Sequence, residues 1–343
     1  MVTPMHASNV PPEYALDPIL EPLRREDIHF EVLKKLPRKA AADQALVASL
    51  YDQAARIQGP CWNEPPFQWV PPHLLQAADA IGASTLVAYV LLDAEGRLQG
   101  TRPRLVGMIH ELPAFEVIAS ATGPVLMPFI YSHLMAVERT LGDLAIGHDL
   151  KKLQRKEALS KGITTIRWTY DPLQSLNANI NIRKCGALNR AYKRGAYDLV
   201  GINEGVEADR FYVTWELASG RVRDRMESET FRELDAPHRA LLEAVPCVNE
   251  TRVDPDQPSH RVNARCRLDH SEPVLALEIP SNFQDMLLTA VACAQRWRRE
   301  SRPLFEGYFQ QGYVVRDFVL TLDKDIPGAR RAHYLLAKDC TPS

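Results

Sequence analysis

Residues 127–192 read MPFIYSHLMAVERTLGDLAIGHDLKKLQRKEALSKGITTIRWTYDPLQSLNANINIRKCGALNRAY, and the order of patterns in this stretch decides the fold. Met127 to Val137 has the apolar, β-favouring content of a strand. The turn Gly142-Asp143-Leu144-Ala145-Ile146-Gly147 follows. From Ile146 to Ser160, Leu150, Leu153 and Ala158 recur at helical spacing among Lys151, Lys152, Arg155 and Lys156, and Lys161-Gly162 closes the helix. Thr164 to Tyr170 is a second strand, Asp171-Pro172 turns the chain, and Leu176 to Lys184 is a helix that Gly186 ends. Strand, turn, helix and strand in this order predict an α/β fold. The turn taken alone reads as an ordinary strand-to-helix connection, and it also has the make-up of an anion site. Small residues allow close approach, and a helix N-terminus offers unpaired N–H groups and the positive end of the macrodipole.

Working outward, residues 1–38 are rich in proline and charge (Pro11-Pro12, Pro18, Pro22, Arg24-Arg25-Glu26-Asp27) and read as an irregular leader. Residues 39–220 form the core. Val47, Leu50, Tyr51, Ala54 and Ile57 mark a helix that Gly59-Pro60 ends, and Thr85 to Leu92 and Leu105 to Leu112 form an antiparallel hairpin. Arg210 to Leu217 is the last strand of the core. Residues 221–272 are polar and proline-bearing, with one helix from Phe231 to Ala244, and read as a linker or excursion. Residues 273–343 form a strand-helix-strand extension: Val274 to Ile279, Asn282 to Tyr308, and Tyr313 to Leu322.

Composition narrows the classes. With 41 basic and 43 acidic residues the net charge is −2, which gives no general attraction to nucleic acid or anionic membrane. At 45% hydrophobic over 343 residues the chain can bury a sizeable core. Six scattered cysteines and no secretory segment suggest reduced thiols and a cytoplasmic protein, and no apolar run spans a membrane. Cys247, His260, Cys266 and His270 lack the paired short spacings of a zinc site, so no metal is expected.

The chain resembles a bacterial subfamily of the GNAT superfamily, predicted acetyltransferases with a C-terminal extension. The resemblance rests on Ser132-His133-Leu134-Met135-Ala136-Val137, the turn, Leu150-Lys151, Gln154-Arg155, Trp168-Thr169-Tyr170-Asp171-Pro172-Leu173, Asn177-Ala178, Asn181 and Gly186-Ala187. It continues in Ile279-Pro280, Arg296-Trp297-Arg298, Phe305, Phe309 and Gly312-Tyr313. It implies a GNAT fold, a mixed α+β sheet flanked by helices and splayed between the strands Met127–Val137 and Thr164–Tyr170, with the pantetheine arm of acetyl-CoA or another acyl-CoA inserted between them. Backbone groups at Ala136 and Val137 would pair with pantetheine. Gly142 opens the phosphate turn, and N–H groups of Leu144, Ala145, Ile146, Gly147 and His148 would hold the pyrophosphate, with Lys151 nearby. Asn177 and Asn181, four apart on a helix, would share one face and supply a further ligand contact.

The implied reaction is acyl transfer to a small-molecule amine, and a base must take the proton of the amine. His133 and Glu111, on strands bordering the cleft, are candidates. Asp171, Tyr170 and Tyr192 are the others. The chain departs from the family at Gly142, where Arg or Gln is usual, at Ala145, where Gly is usual, and at Ile182, where many members carry the tyrosine that protonates the leaving thiolate. Two alternatives stand beside the transferase: a GNAT fold turned to a non-CoA donor, and a binding protein without catalysis. On the helix with Arg296-Trp297-Arg298-Arg299, Trp297 beside Phe305 and Tyr308 is expected to pack against the core; the second reading is that this helix shapes the acceptor pocket or a homodimer interface.

Overall fold

A computed structural model describes residues 15–62, 65–120, 122–197, 205–227 and 235–338, and the chain divides into two compact units, Met1–Ile166 and Arg167–Ser343. The α/β class expected from the sequence holds, with sheet flanked by helices.

The first unit orders four strands as β1 (His29–Val32), β2 (Ser84–Leu92), β3 (Arg102–Ser120) and β4 (Gly123–Val137), each antiparallel to its neighbour. β2 reads as a nearly unbroken apolar run because both of its faces are covered. Val87 and Tyr89 point one way and pack, with Leu105 and Met108, under Val47, Leu50, Tyr51 and Ala54 of α1 (Ala41–Arg56). Leu86, Ala88 and Val90 point the other way, toward Ile146 and Leu150 of the helix Ile146–Ser160. The short helices α2 (Gln58–Trp62) and α3 (Pro72–Asp79) complete the first face, so the helix Ile146–Ser160 is α4. Its approach to the sheet is set at Gly107, where an added Cβ would lie 3.1 Å from both Ile146 and Leu150.

The second unit begins on β5 (Thr165–Tyr170), then has α5 (Ser175–Ala178), a π-helical segment (Asn179–Lys184), β6 (Leu188–Tyr197), β7 (Ala208–Glu216), α6 (Gly220–Glu227) and α7 (Asp235–Ala244). The hairpin β8 (Asn249–Val253) and β9 (Arg261–Cys266) follows, then β10 (Val274–Ile279), α8 (Phe283–Thr289), α9 (Val291–Gln310), β11 (Tyr313–Leu322) and β12 (Arg330–Lys338). Its sheet runs β5-β7-β6-β11-β12-β10, and β6 meets β11 in register only at Asn189 and Val315. An aromatic cluster of Phe211, Phe305, Phe309 and Tyr334 fills its core.

Several details differ from the sequence reading: residues 1–38 are not irregular throughout, since β1 lies among them and pairs with β2, and the C-terminal extension ends in a further strand, β12. β3 runs on to Ser120 instead of ending at Leu112. The helix from Asn282 is two helices, because Ala290 leaves helical geometry at φ −148, ψ 56. The segment 221–272 contains a hairpin as well as helix, and the first residues of the helix expected from Phe231 lie outside the described residues. The helix Leu176 to Lys184 is an α turn that widens into a π-helix. Among the described residues no helix is long and apolar enough to cross a membrane.

Candidate active site

The strand-turn-helix that the sequence singles out is built in the first unit. In the β3–β4 ladder His110 pairs with Leu134 and Glu111 with Ser132, so His133 is the extra residue of a β-bulge. A bulge takes its extra residue out of the ladder and re-aims it. Ser132 turns into the interior while His133 stands exposed, its ring 6.5 Å from that of His110 and 6.1 Å from that of Tyr131. Partial enclosure still lowers the pKa of His133 by desolvation. The ladder then recovers through Ala136 and Val137, opposite Met108 and Gly107, and the Cys61 thiol donates to the Val137 carbonyl at 3.4 Å.

Beyond β4 the chain makes a 3-10 turn over Arg139–Leu144, which includes Gly142, and Ala145 adopts φ 55, ψ 21. This is the left-handed region, which costs an L-residue about 1–2 kcal/mol and which glycine occupies freely. The turn therefore keeps a glycine-type backbone with alanine in it. α4 starts at Ile146; the N–H groups of His148 and Asp149 bond the Ala145 carbonyl at 2.9 and 3.2 Å. Helical geometry gives Ile146 and Gly147 no such acceptor within the helix. Asp149, in the first turn, pairs with Arg25 at 2.6 Å, a contact that places a carboxylate at the positive end of the helix.

Beneath α4 lies a buried polar cluster that joins two of the candidates. Lys151, only 2% exposed, donates to Gln154 Oε1 at 2.9 Å and to Ser132 Oγ at 3.3 Å. Gln154 Nε2 donates to Glu111 Oε2 at 3.1 Å, and Lys161 Nζ donates to Glu111 Oε1 at 3.2 Å and to Ser84 Oγ at 2.9 Å. Burial raises the pKa of Glu111 against the pull of Lys161 and Gln154. Lys151 is not the outward-facing cation the sequence suggests: it turns inward with Leu150 and Gln154, and Ser132 and Gln154 engage its ammonium. Lys152 and Lys156 carry the outer charge and line a groove of about 430 Å³ with Arg25, Phe30 and Leu153. His110, held at 3.0 Å from Thr85 Oγ1, is pushed by burial from its ordinary 6.5 to about 4.

The second unit holds the remaining candidates. Tyr170 and Tyr334 hydroxyls are 3.2 Å apart, and Tyr334 donates to the Pro172 carbonyl at 2.8 Å. Asp171 accepts from the Leu173 N–H at 2.9 Å and from the Arg298 guanidinium. The Nε of Arg298 lies 3.9 Å from Asp209, which Arg302 grips with two bonds at 2.7 and 2.8 Å and to which the Tyr192 hydroxyl donates. One chain of ion pairs and hydrogen bonds therefore links Asp171 to Tyr192. Burial raises the pKa of both Tyr170 and Tyr192, and Asp209 raises Tyr192 further. Burial opposes ionisation of Asp209, yet Arg302 and Tyr192 hold its carboxyl below the usual range. Asn177 and Asn181 do not share an environment, since Asn177 is exposed and Asn181 buried. The wider π turn, closed by the Cys185 N–H on the Ile180 carbonyl, breaks the four-residue spacing. Ile182 is wholly buried.

Sequence reasoning did not assign Ser132, Gln154, Lys161, Asp209 or Arg302 to these clusters. Only Gln154, three residues from Lys151 on a helix, carried a local signal.

No family model matches the chain and no curated protein matches it. Solved structures similar to it include one of the NatC complex bound to Gag peptide and CoA, at 15% identity over 55% of this chain and 98% of that one, with a TM-score of 0.32. An IAA acetyltransferase from Bacillus cereus is 14% identical over 55% of this chain and 99% of its own, with a TM-score of 0.30. A GNAT-family acetyltransferase from Streptococcus pneumoniae is 9% identical over 54% of this chain and 98% of its own, with a TM-score of 0.33. Likenesses this slight carry no argument about what the protein does.

Proposed function

We propose that the protein is a GNAT-fold enzyme that transfers an acyl group, most simply acetyl, from coenzyme A to the amine of a small molecule. One observation carries this reading: in the first unit a bulged strand at His133 runs through Ala136 and Val137 into a turn with a left-handed backbone at Ala145, directly at the start of α4. The motif resemblance of the sequence supports the same reading.

In this proposal the amides of pantetheine lie along Ala136 and Val137, and the pyrophosphate meets the N–H groups of Ile146 and Gly147, flanked by Gly142, Leu144, Ala145 and His148. The backbone N–H of His133, which the bulge takes out of the ladder, would serve as the donor to the thioester oxygen, where negative charge develops. The imidazole of His133, its pKa lowered and hence neutral at neutral pH, takes a proton from the amine. The amine nitrogen bonds the carbonyl carbon, the C–S bond breaks, and the thiolate takes a proton from water, since Ile182 has none to give. Glu111, both of whose oxygens are engaged, positions β3 and β4 and does not touch the amine. Tyr170, Asp171 and Tyr192 have committed polar groups and hold the second unit in shape. Exposed Asn177 remains a candidate ligand contact, and buried Asn181 a weaker one.

The test is calorimetric titration with CoA and acetyl-CoA. Micromolar binding is expected, lost in Gly147→Arg; circular dichroism reports whether that variant is folded. His133→Ala should keep binding while thiol release with an amine panel falls by about 10²-fold. Absence of binding at millimolar CoA overturns the proposal. A second reading, a GNAT fold serving a donor other than CoA, is favoured by the carboxylate of Asp149 in the first turn of α4, and that same absence would point to it. Binding without thiol release for any amine would instead mark a protein that binds and does not catalyse.

A further inference from the structure

Past Glu111, where β2 ends its pairing at Ser84, β3 and β4 continue as a two-stranded arm as far as Ser120 and Gly123. Within the arm the register is unbroken, so alternate pairs share a face. One face carries Pro113 opposite Ile130, Phe115 opposite Pro128, Val117 opposite Leu126 and Ala119 opposite Pro124. At its base this face belongs to the core, since Ile130 is fully buried. Farther out, Phe115 is 66% exposed, Val117 64% and Leu126 60%. Beyond the buried polar pair of Glu111 and Ser132 and the buried Ile130, this face thus runs out into water with apolar side chains alone. The other face of the ribbon is different, because Glu116 stands there opposite Met127, next to the pair Ile118 and Val125.

An isolated two-stranded ribbon is marginal in water, and a contiguous apolar patch of this kind on a soluble protein marks a contact. We infer that the arm joins two copies of this chain, packing the face of Phe115, Val117, Ala119, Pro124, Leu126 and Pro128 on the same face of a second copy about a two-fold axis. The area fits that occupant. Half-exposed apolar side chains of this size leave roughly 500 Å² per copy open, so two faces bury about 1,000 Å², the least a specific interface needs. A two-fold contact requires a surface that complements itself, and a ribbon face without a charge meets that condition with no like-charge penalty. A charged or strongly polar partner would find nothing to pair with.

Sedimentation equilibrium of the full chain from micromolar to tens-of-micromolar concentration tests this. A dimer is expected, and Val117→Lys and Leu126→Lys, each checked for an unchanged circular-dichroism spectrum and melting temperature, should weaken it at least tenfold. Met127→Lys, on the other face, should leave it intact. A wild-type protein that stays monomeric overturns the inference, and one that is monomeric and pellets with phosphatidylcholine vesicles shows that the face meets lipid instead. A dimer indifferent to both Val117→Lys and Leu126→Lys, or broken equally by Met127→Lys, places the interface elsewhere.

Discussion

Each unit buries a cluster of charges around residues that sequence reading nominates for catalysis, and the two clusters are built on different principles. In the first unit the carboxylate is Glu111, wholly buried and held by one lysine and one neutral amide, and its pKa is raised. In the second unit the carboxylate is Asp209, equally buried but gripped by Arg302, approached by Arg298 and bonded by Tyr192, and its pKa is lowered. Arginine does not give up its proton, so a carboxylate saturated by arginines is a fixed charge. A carboxylate among lysine, serine and glutamine sits closer to its neutral form. Proton chemistry belongs in surroundings of the first kind and structural locking in those of the second.

The largest effect should come from breaking the locked cluster. Asp209→Asn leaves the buried arginines facing a neutral amide, and removal of one partner of a buried ion pair costs about 3–5 kcal/mol. Urea unfolding should show that loss. A cost under about 1 kcal/mol would mean that Asp209 is not the centre of the lock and would erase the contrast between the units.

Acid probes a buried histidine in each unit next. His110 is depressed from 6.5 to about 4, so the unfolded chain binds a proton that the folded state refuses over that interval. Stability from this site is complete above pH 6.5 and is lost as pH falls toward 4, by about 3 kcal/mol at its low end. His333, in the second unit, is depressed to about 4 and adds a term of the same sign, so the site must be isolated. The lowered aspartate Asp209 acts later, its contribution present above its ordinary 3.8 and lost only below it. Melting temperature against pH for wild type and His110→Phe should lose part of the slope between pH 6.5 and 4 in the variant. An unchanged slope would show that His110 is not held neutral.

Glu111→Gln should cost less than Asp209→Asn, about 2 kcal/mol, because burial already opposes the charge of Glu111 and Lys161, 24% exposed, can turn to water when its partner is lost, while the NH2 of the new amide meets a donor. Equal losses from the two substitutions would contradict the division between a neutral-tolerant and a locked cluster.

The sequence made the elements of both units legible where a local pattern carried them. The bounds of β10 coincide with the run Val274 to Ile279, and α4 with the spacing of Leu150, Leu153 and Ala158. What escaped was whatever depends on contacts distant along the chain or on a change of helical pitch. Arg302 and Asp209 are 93 residues apart, and no spacing announces their pairing. The π-helical segment separates Asn177 from Asn181 although their spacing reads as one α-helical face. Lys151 looked like part of a solvated basic face because composition does not say which lysine turns inward; the partners waiting inside, Ser132 and Gln154, decide that. The bulge at His133 was equally hidden, since it is a property of the register between two strands and not of either strand alone.

The smallest effect bears on the turn where the first unit departs from the expected sequence. Ala145 holds a left-handed conformation at φ 55 while its carbonyl anchors the first bonds of α4. Glycine would remove the Cβ strain, and the greater freedom it gives the unfolded chain offsets part of that gain. Ala145→Gly should therefore stabilise the protein by about 0.5 kcal/mol, seen as a small rise in the urea midpoint with an unchanged slope. The more telling readout is the donor. If the turn is a pyrophosphate cradle, the same substitution opens the approach to its N–H groups and CoA should bind more tightly in the variant than in the wild type. A gain in stability with no change in CoA affinity would leave Ala145 as a plain helix start and take the phosphate role from the turn.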